Sequence, residues 1–274
     1  MTEYSEDTQQ QDPEDKTQYI FQSDEKQEWI TFSFTVIAAV IAILYFFIPL
    51  LLSQFMKAPV AGHTITDQDM IYSLLFSQGP IIVILVLLAI AFKRTISIKE
   101  KFAFTNWNWS FTTFPFFIEL LLLPAIWLVT VIFQLVTTFF FDITLPPRDL
   151  QVFLMGCSEQ TLIIMAIGAV IIAPIIEELM FRKIIFDFVE KNTSQLIAIV
   201  VTSALFAAVH FTLIQSPALF LIAVVLQLLY IKYKSIYPAI IMHMVHNGTT
   251  FLILIALRYM MKNDFLRAII EQNM

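Results

Sequence analysis

Three histidines and two adjacent glutamates lie where a chain this apolar has little reason to put them. Residues 173–182 read Ala-Pro-Ile-Ile-Glu-Glu-Leu-Met-Phe-Arg and carry Glu177, Glu178 and Arg182. Further on stand Phe206-Ala207-Ala208-Val209-His210 and His243-Met244-Val245-His246-Asn247. Two carboxylates, two histidines and an amide in a dry pocket suit chemistry on water. A carboxylate beside a histidine can deprotonate water as a general base, and a second histidine with an asparagine can donate to an oxyanion. A Zn²⁺ held by histidine and glutamate would do related work by acidifying bound water. No His-Glu-x-x-His, Gly-x-Ser-x-Gly or Walker sequence occurs. The lone Cys157 has no histidine near it in sequence and carries little catalytic weight. Any one of these groups could instead tie helices together, as a buried Glu-Arg pair or an interhelical histidine does; it is their joint spacing that points to a site.

The elements that hold them are spanning helices. A membrane helix needs about 20 apolar residues, and the runs that qualify are 30–55, 71–92, 111–141, 161–186, 196–214, 217–231 and 236–261. Lipid offers no partner to open backbone, so helix is the state expected of each. The fold class is therefore all-α, a polytopic transmembrane bundle of seven spans with room for an eighth. The third run holds Pro115 and Pro124, which suggests an interfacial elbow before the true span, and Pro174 is expected to kink the fourth run just ahead of the glutamates. Spans four and five form a hairpin turning near Asn192, with Glu177 fifteen residues before the turn and His210 eighteen after it. At ~1.5 Å per residue the two differ in depth by about 4–5 Å, within side-chain reach. His243, eight residues past Ser235, reaches a similar depth and shares a face with Asn247. Glu178 and Arg182 are spaced for an ion pair, while Glu177 points about 100° away. His246 flanks the His243 face and is a lesser candidate. Glu119 is set aside as interfacial.

Composition excludes other classes. Hydrophobic residues make up 58% and charged residues 14% of 274, against about 25% charged in soluble domains; mean hydropathy is +0.78. That rules out a soluble globule, a disordered chain and a nucleic-acid binder. The net charge of −6 is misleading, because residues 1–28 hold nine acidic and two basic side chains and the remainder is nearly neutral. The expected organisation is a disordered acidic tail over 1–28, amino-terminal spans over 29–160, and a catalytic region over 161–274 continuous with them. Ionisable groups within spans cost ~2.5–3.5 kcal/mol each at a helix centre and mark function by default. No doubled motif suggests the inverted repeats of a transporter.

The three motifs together resemble those of the CAAX protease and bacteriocin-processing (Abi) family of intramembrane endopeptidases. Glu-Glu-x-x-x-Arg is Glu177 to Arg182, Phe-x-x-x-His is Phe206 to His210, and His-x-x-x-Asn is His243 to Asn247. The likeness covers about 161–250; Lys183 and Gln227 depart from it, each standing at or near a usual glycine. The resemblance implies that Glu177 and His210 activate water, that His243 and Asn247 stabilise the oxyanion, and that Glu178 and Arg182 support the site. It leaves metal use open: were Zn²⁺ used, Glu177, His210 and His243 would hold it, and the same residues suit a metal-free glutamate mechanism. The expected activity is endoproteolysis of a membrane-associated protein or peptide. The alternative is a non-enzymatic bacteriocin-immunity or regulatory scaffold that binds a peptide or partner protein.

Lysine and arginine set orientation. With the amino terminus on one side, that side collects eleven of the sixteen basic residues, including Lys93, Arg94, Lys99 and Lys101. The expected setting is a cell membrane, bacterial by the tail and small size, with a cytoplasmic amino terminus. Cysteines introduced at Gln10 or Ser97 in a Cys157→Ser background should therefore resist an impermeant thiol reagent in intact cells; efficient labelling of both would reverse the topology.

Overall fold

The computed structural model describes residues 103–142 and 157–262, apart from 106 and 211, and single positions between 66 and 86. The acidic tail and the expected span 30–55 lie outside the described residues, and the described positions of 71–92 are helical. Among the described residues there is helix and no strand, as backbone in hydrocarbon requires. The elements are α1 (Ser110–Phe141), α2 (Glu159–Asn192), α3 (Gln195–Val209), α4 (Ser216–Tyr233) and α5 (Tyr237–Lys262). Among the described residues four stretches are long and apolar enough to cross a bilayer: α1, α2, α4 with its preceding 3-10 turn, and α5 over Tyr237–Met260.

Two expectations about helix continuity change. α1 is continuous helix through Pro115 and Pro124, so the helix is not interrupted ahead of the span. The expected span 196–214 is instead a 15-residue apolar helix that stops at His210. The His210 ring bonds the Phe206 carbonyl at 2.7 Å, Thr212 is extended, and a separate 3-10 turn, Leu213–Gln215, leads into α4. The side chain thus competes with the main chain for the last carbonyls and ends the helix.

α2 is a composite. Ser158 caps its start by accepting from the Thr161 amide at 3.2 Å. The helix then widens into π turns at Gly168–Ile172 and again at Leu179–Ile185, leaving Ala173–Glu178 as α-helix between them. Pro174 sits at the start of that piece. Proline has no N–H and crowds the carbonyl four residues back, and a wider turn just before it accommodates both faults. The helix turns at Thr193 into α3, whose cap Ser194 accepts from the Ile197 amide at 3.3 Å. The hairpin expected near Asn192 is therefore present.

Packing arranges the other helices around α2. Ile176, Met180, Phe181, Ile184 and Ile185 of α2 form one buried cluster with Phe206 of α3 and Ala223 of α4. Leu122 of α1 joins Ile222, Leu226 and Leu229 of α4 and Ala239 and Met242 of α5 in a second. Outward side chains such as Leu121, Trp127 and Phe139 are large, apolar and at least two-thirds exposed, the surface a lipid-facing helix presents. At the far end of α5, buried Arg258 donates to the Cys157 carbonyl at 2.7 Å, to its Sγ at 3.2 Å and to Glu159 at 2.9 Å. This ties the start of α2 to the end of α5. Arg258→Met should lower stability by about 1–3 kcal/mol through lost bonds to buried acceptors, read as a fall in thermal midpoint in detergent with turnover per folded molecule retained.

Candidate active site

The short α-helical piece between the two π turns presents its adjacent glutamates to different partners. Glu178 has no exposed surface. Its Oε2 lies 2.9 Å from Arg182 Nε, one turn on, as an ion pair off the N–H axis rather than an aligned hydrogen bond. Its Oε1 lies 2.8 Å from His243 Nδ1. A carboxylate only accepts, so Nδ1 carries the hydrogen, and Nε2 of the neutral ring is left as a lone pair. The same reasoning fixes His210, whose Nδ1 lies 2.7 Å from the Phe206 carbonyl. The Nε2 atoms of both rings face Glu177: Oε2 stands 4.0 Å from that of His210 and 3.7 Å from that of His243. Glu177 Oε2 is itself buried and makes no hydrogen bond among the described residues.

Three acceptors facing one another at these distances are too far apart for direct hydrogen bonds. The gap is too narrow for a water on the line between them, but a water seated to one side can reach them. The groups are also a donor set that zinc accepts, but ligands arranged tetrahedrally at ~2.0–2.1 Å stand about 3.3–3.4 Å apart. The separations here are wider, and among the described residues no group of three His, Cys, Asp or Glu side chains has the geometry to hold a metal ion. The residues do not fit zinc in this arrangement, so the chemistry is derived through water.

Phe206 organises the cluster. Its ring, 1% exposed, lies 4.7 Å from that of His210 and 5.7 Å from that of His243, and the Arg182 guanidinium sits 4.9 Å above it. The first residue of the second motif thus walls the site and supports Arg182 by a cation–π contact. In the sequence it was visible only as a motif letter.

The structure brings Glu177, Glu178, Arg182, His210 and His243 together. Asn247 is on the expected face of α5, but its Nδ2 donates to the Ala169 carbonyl at 2.8 Å, inside the first π turn of α2. Its second amide hydrogen remains for other use. Sequence reasoning missed one further pair. Glu119 of α1, 1% exposed, lies 2.7 Å from His246 Nδ1. The hydrophobic run around Glu119 looked interfacial, and only its pairing with a histidine 127 positions away shows it to be interior.

Removing one member of the buried ion pair should strand its partner at a cost of about 3–5 kcal/mol. Arg182→Ala should therefore sharply reduce the amount of folded protein in the membrane by quantitative immunoblot, whereas Glu177→Gln, which strands no charge, should leave it near the wild-type level.

No curated protein and no solved structure matches this chain. Residues 159–249 match the family model described as type II CAAX prenyl endopeptidase Rce1-like. That segment holds all three motifs and every residue of the cluster around Glu177. The likeness read from the motifs thus coincides with a family match: over this third of the chain it is similar to the Rce1-like type II CAAX prenyl endopeptidases.

Proposed function

We propose that the protein is an intramembrane endopeptidase that hydrolyses a peptide bond with a water activated by Glu177 and His210. The observation that carries this is the buried, unbonded Oε2 of Glu177 facing two imidazole lone pairs at 3.7 and 4.0 Å. A water seated there donates to two of the three acceptors and keeps its own lone pairs for attack. Glu177 takes one of its protons as the oxygen adds to the scissile carbonyl, and returns that proton to the leaving nitrogen as the C–N bond breaks. His210, held in one tautomer by the Phe206 carbonyl, accepts from the same water and keeps it in place. The second N–H of Asn247 is a donor for the developing oxyanion, and His243 joins it only in the form that has taken up a proton from solvent at Nε2. Glu178 and Arg182 take no part in bond making; they hold the His243 ring.

The family description supports a substrate of the prenylated CAAX class, delivered from the bilayer. A cytoplasmic mouth for the site follows from the distribution of lysine and arginine.

Residues that act as a unit in bond making lose activity together rather than additively. At matched membrane abundance, Glu177→Gln and His210→Gln should each lower cleavage of a quenched-fluorescence peptide ending in a farnesylated CAAX sequence by about 10²–10⁴-fold. Membrane peptidomics of wild-type against Glu177→Gln cells should show one or more products missing from the variant. Full function of both variants in cells would replace the protease with a binding scaffold. Stoichiometric zinc in purified protein, with activity lost on chelation and restored by zinc, would replace the water-only mechanism with a metal one.

A further inference from the structure

Hydrolysis consumes a water at each turnover, and the hydrocarbon around these helices holds almost none. The polar groups outside the Glu177 cluster form a path that meets this need. At the α2–α3 turn lies a cavity of about 690 Å³, lined among others by Lys183, Asp187, Glu190, Gln195, Tyr230 and Lys234. Tyr230 is part of its wall, with its hydroxyl 3.3 Å from Lys183 Nζ and 3.2 Å from Asp187 Oδ1.

Below Tyr230 the interior should be dry, yet it holds polar atoms with no partner among the described residues. Gln227, one helical turn from Tyr230 on α4, is 1% exposed, and neither its Oε1 nor its Nε2 is bonded. Ser203 of α3, also 1% exposed, has an unbonded Oγ. Arg182 Nη2 is buried and unbonded. These three share one region. α3 and α4 run antiparallel and share clusters at Ala198 with Tyr230 and at Phe206 with Ala223, so Ser203 and Gln227 fall between those two levels. Arg182 lies over the ring of Phe206, three residues beyond Ser203. An amide left without partners in such a place costs several kcal/mol, and buried groups of this kind are satisfied by ordered water when two to four polar partners surround it.

We infer that Gln227, Ser203 and Arg182 hold buried water, and that this water links the cavity at the hairpin turn to the Glu178–His243–Glu177 cluster. The entry side is Lys183 and Tyr230, the middle is Gln227 and Ser203, and the inner end is the Arg182 guanidinium beside Glu178. The binding of water rests on the unpartnered side chains alone; its use as reactant rests on the hydrolytic reading of Glu177.

Hydroxyl-radical footprinting by pulsed X-ray radiolysis of the full chain in nanodiscs separates the two. Radicals made from a bound water oxidise the side chains touching it. Met180, 0% exposed, packs in one cluster with Phe206, whose ring the Arg182 guanidinium overlies, while Met242, also 0% exposed, lies in the cluster of α1, α4 and α5 and serves as the control. Met180 and Phe206 should be modified about tenfold faster than Met242 if water is held beside them. Gln227→Leu should bring both near the Met242 rate and lower turnover of the farnesylated CAAX peptide about tenfold at unchanged KM, with Ser203→Ala acting in the same direction as the milder variant. Glu177→Gln should abolish turnover and leave the labelling intact, so that loss of the hydrolytic reading would not remove the water site. Met180 and Phe206 as inert as Met242 in the wild type, or unchanged labelling in both Gln227→Leu and Ser203→Ala, would overturn the proposal. Reduced labelling with full turnover would overturn the supply role.

Discussion

Glu178 is a carboxylate with no access to solvent, and the arrangement around it follows from the need to satisfy both of its oxygens. One oxygen faces Arg182 at 2.9 Å and the other faces His243 at 2.8 Å. The first contact lies within α2 and is local. The second joins α2 to a helix 65 residues away and sets the tautomer of the ring. Once His243 is held by Nδ1, its other nitrogen has one direction left, toward Glu177. The adjacent glutamate can then be left without a partner, because its neighbour carries the ion pair. Two carboxylates of the same type, one residue apart, thereby differ in chemistry: one is neutralised and fixed, the other is bare and facing imidazole lone pairs. Burial makes each of these contacts stronger than it would be in water, and makes loss of either partner costly.

α5 distributes this constraint through the bundle. Within five residues it makes three polar contacts to two helices: His243 to Glu178 and Asn247 to the Ala169 carbonyl, both of α2, and His246 to Glu119 of α1. Apolar packing in lipid gives helices little preference for one rotation over another, since tails are as apolar as the side chains they replace. Polar contacts of this kind do select a rotation. The Glu119–His246 pair therefore belongs with the site's framework although neither residue falls on the Glu177 side of it.

Much of the cluster could be read in the sequence because helical spacing is arithmetic. The positions of Glu177 and His210 on either side of a turn at Asn192 placed them at one depth, and they stand 4.0 Å apart. The four-residue interval from Glu178 to Arg182 foretold their pair. What spacing could not supply was contact between distant runs. Glu119 looked interfacial because its neighbours are uniformly apolar, and nothing local tied it to His246. The break in the expected fifth span was equally hidden, because it depends on a histidine ring bonding its own helix's carbonyl. Asn247 was placed on the right face, but the carbonyl that receives its amide is available only because the helix opposite is wound wide.

The two wide turns of α2 make the position of its glutamates sensitive to how the helix is wound. Each contains a residue more than an α-helical turn would hold. Ala173–Glu178 sits between them like a cuff between two sleeves of spare cloth. Were the first of these turns to tighten to ordinary helix with all its residues kept, everything beyond it would turn by about 100°, and Glu177 would no longer point where it does.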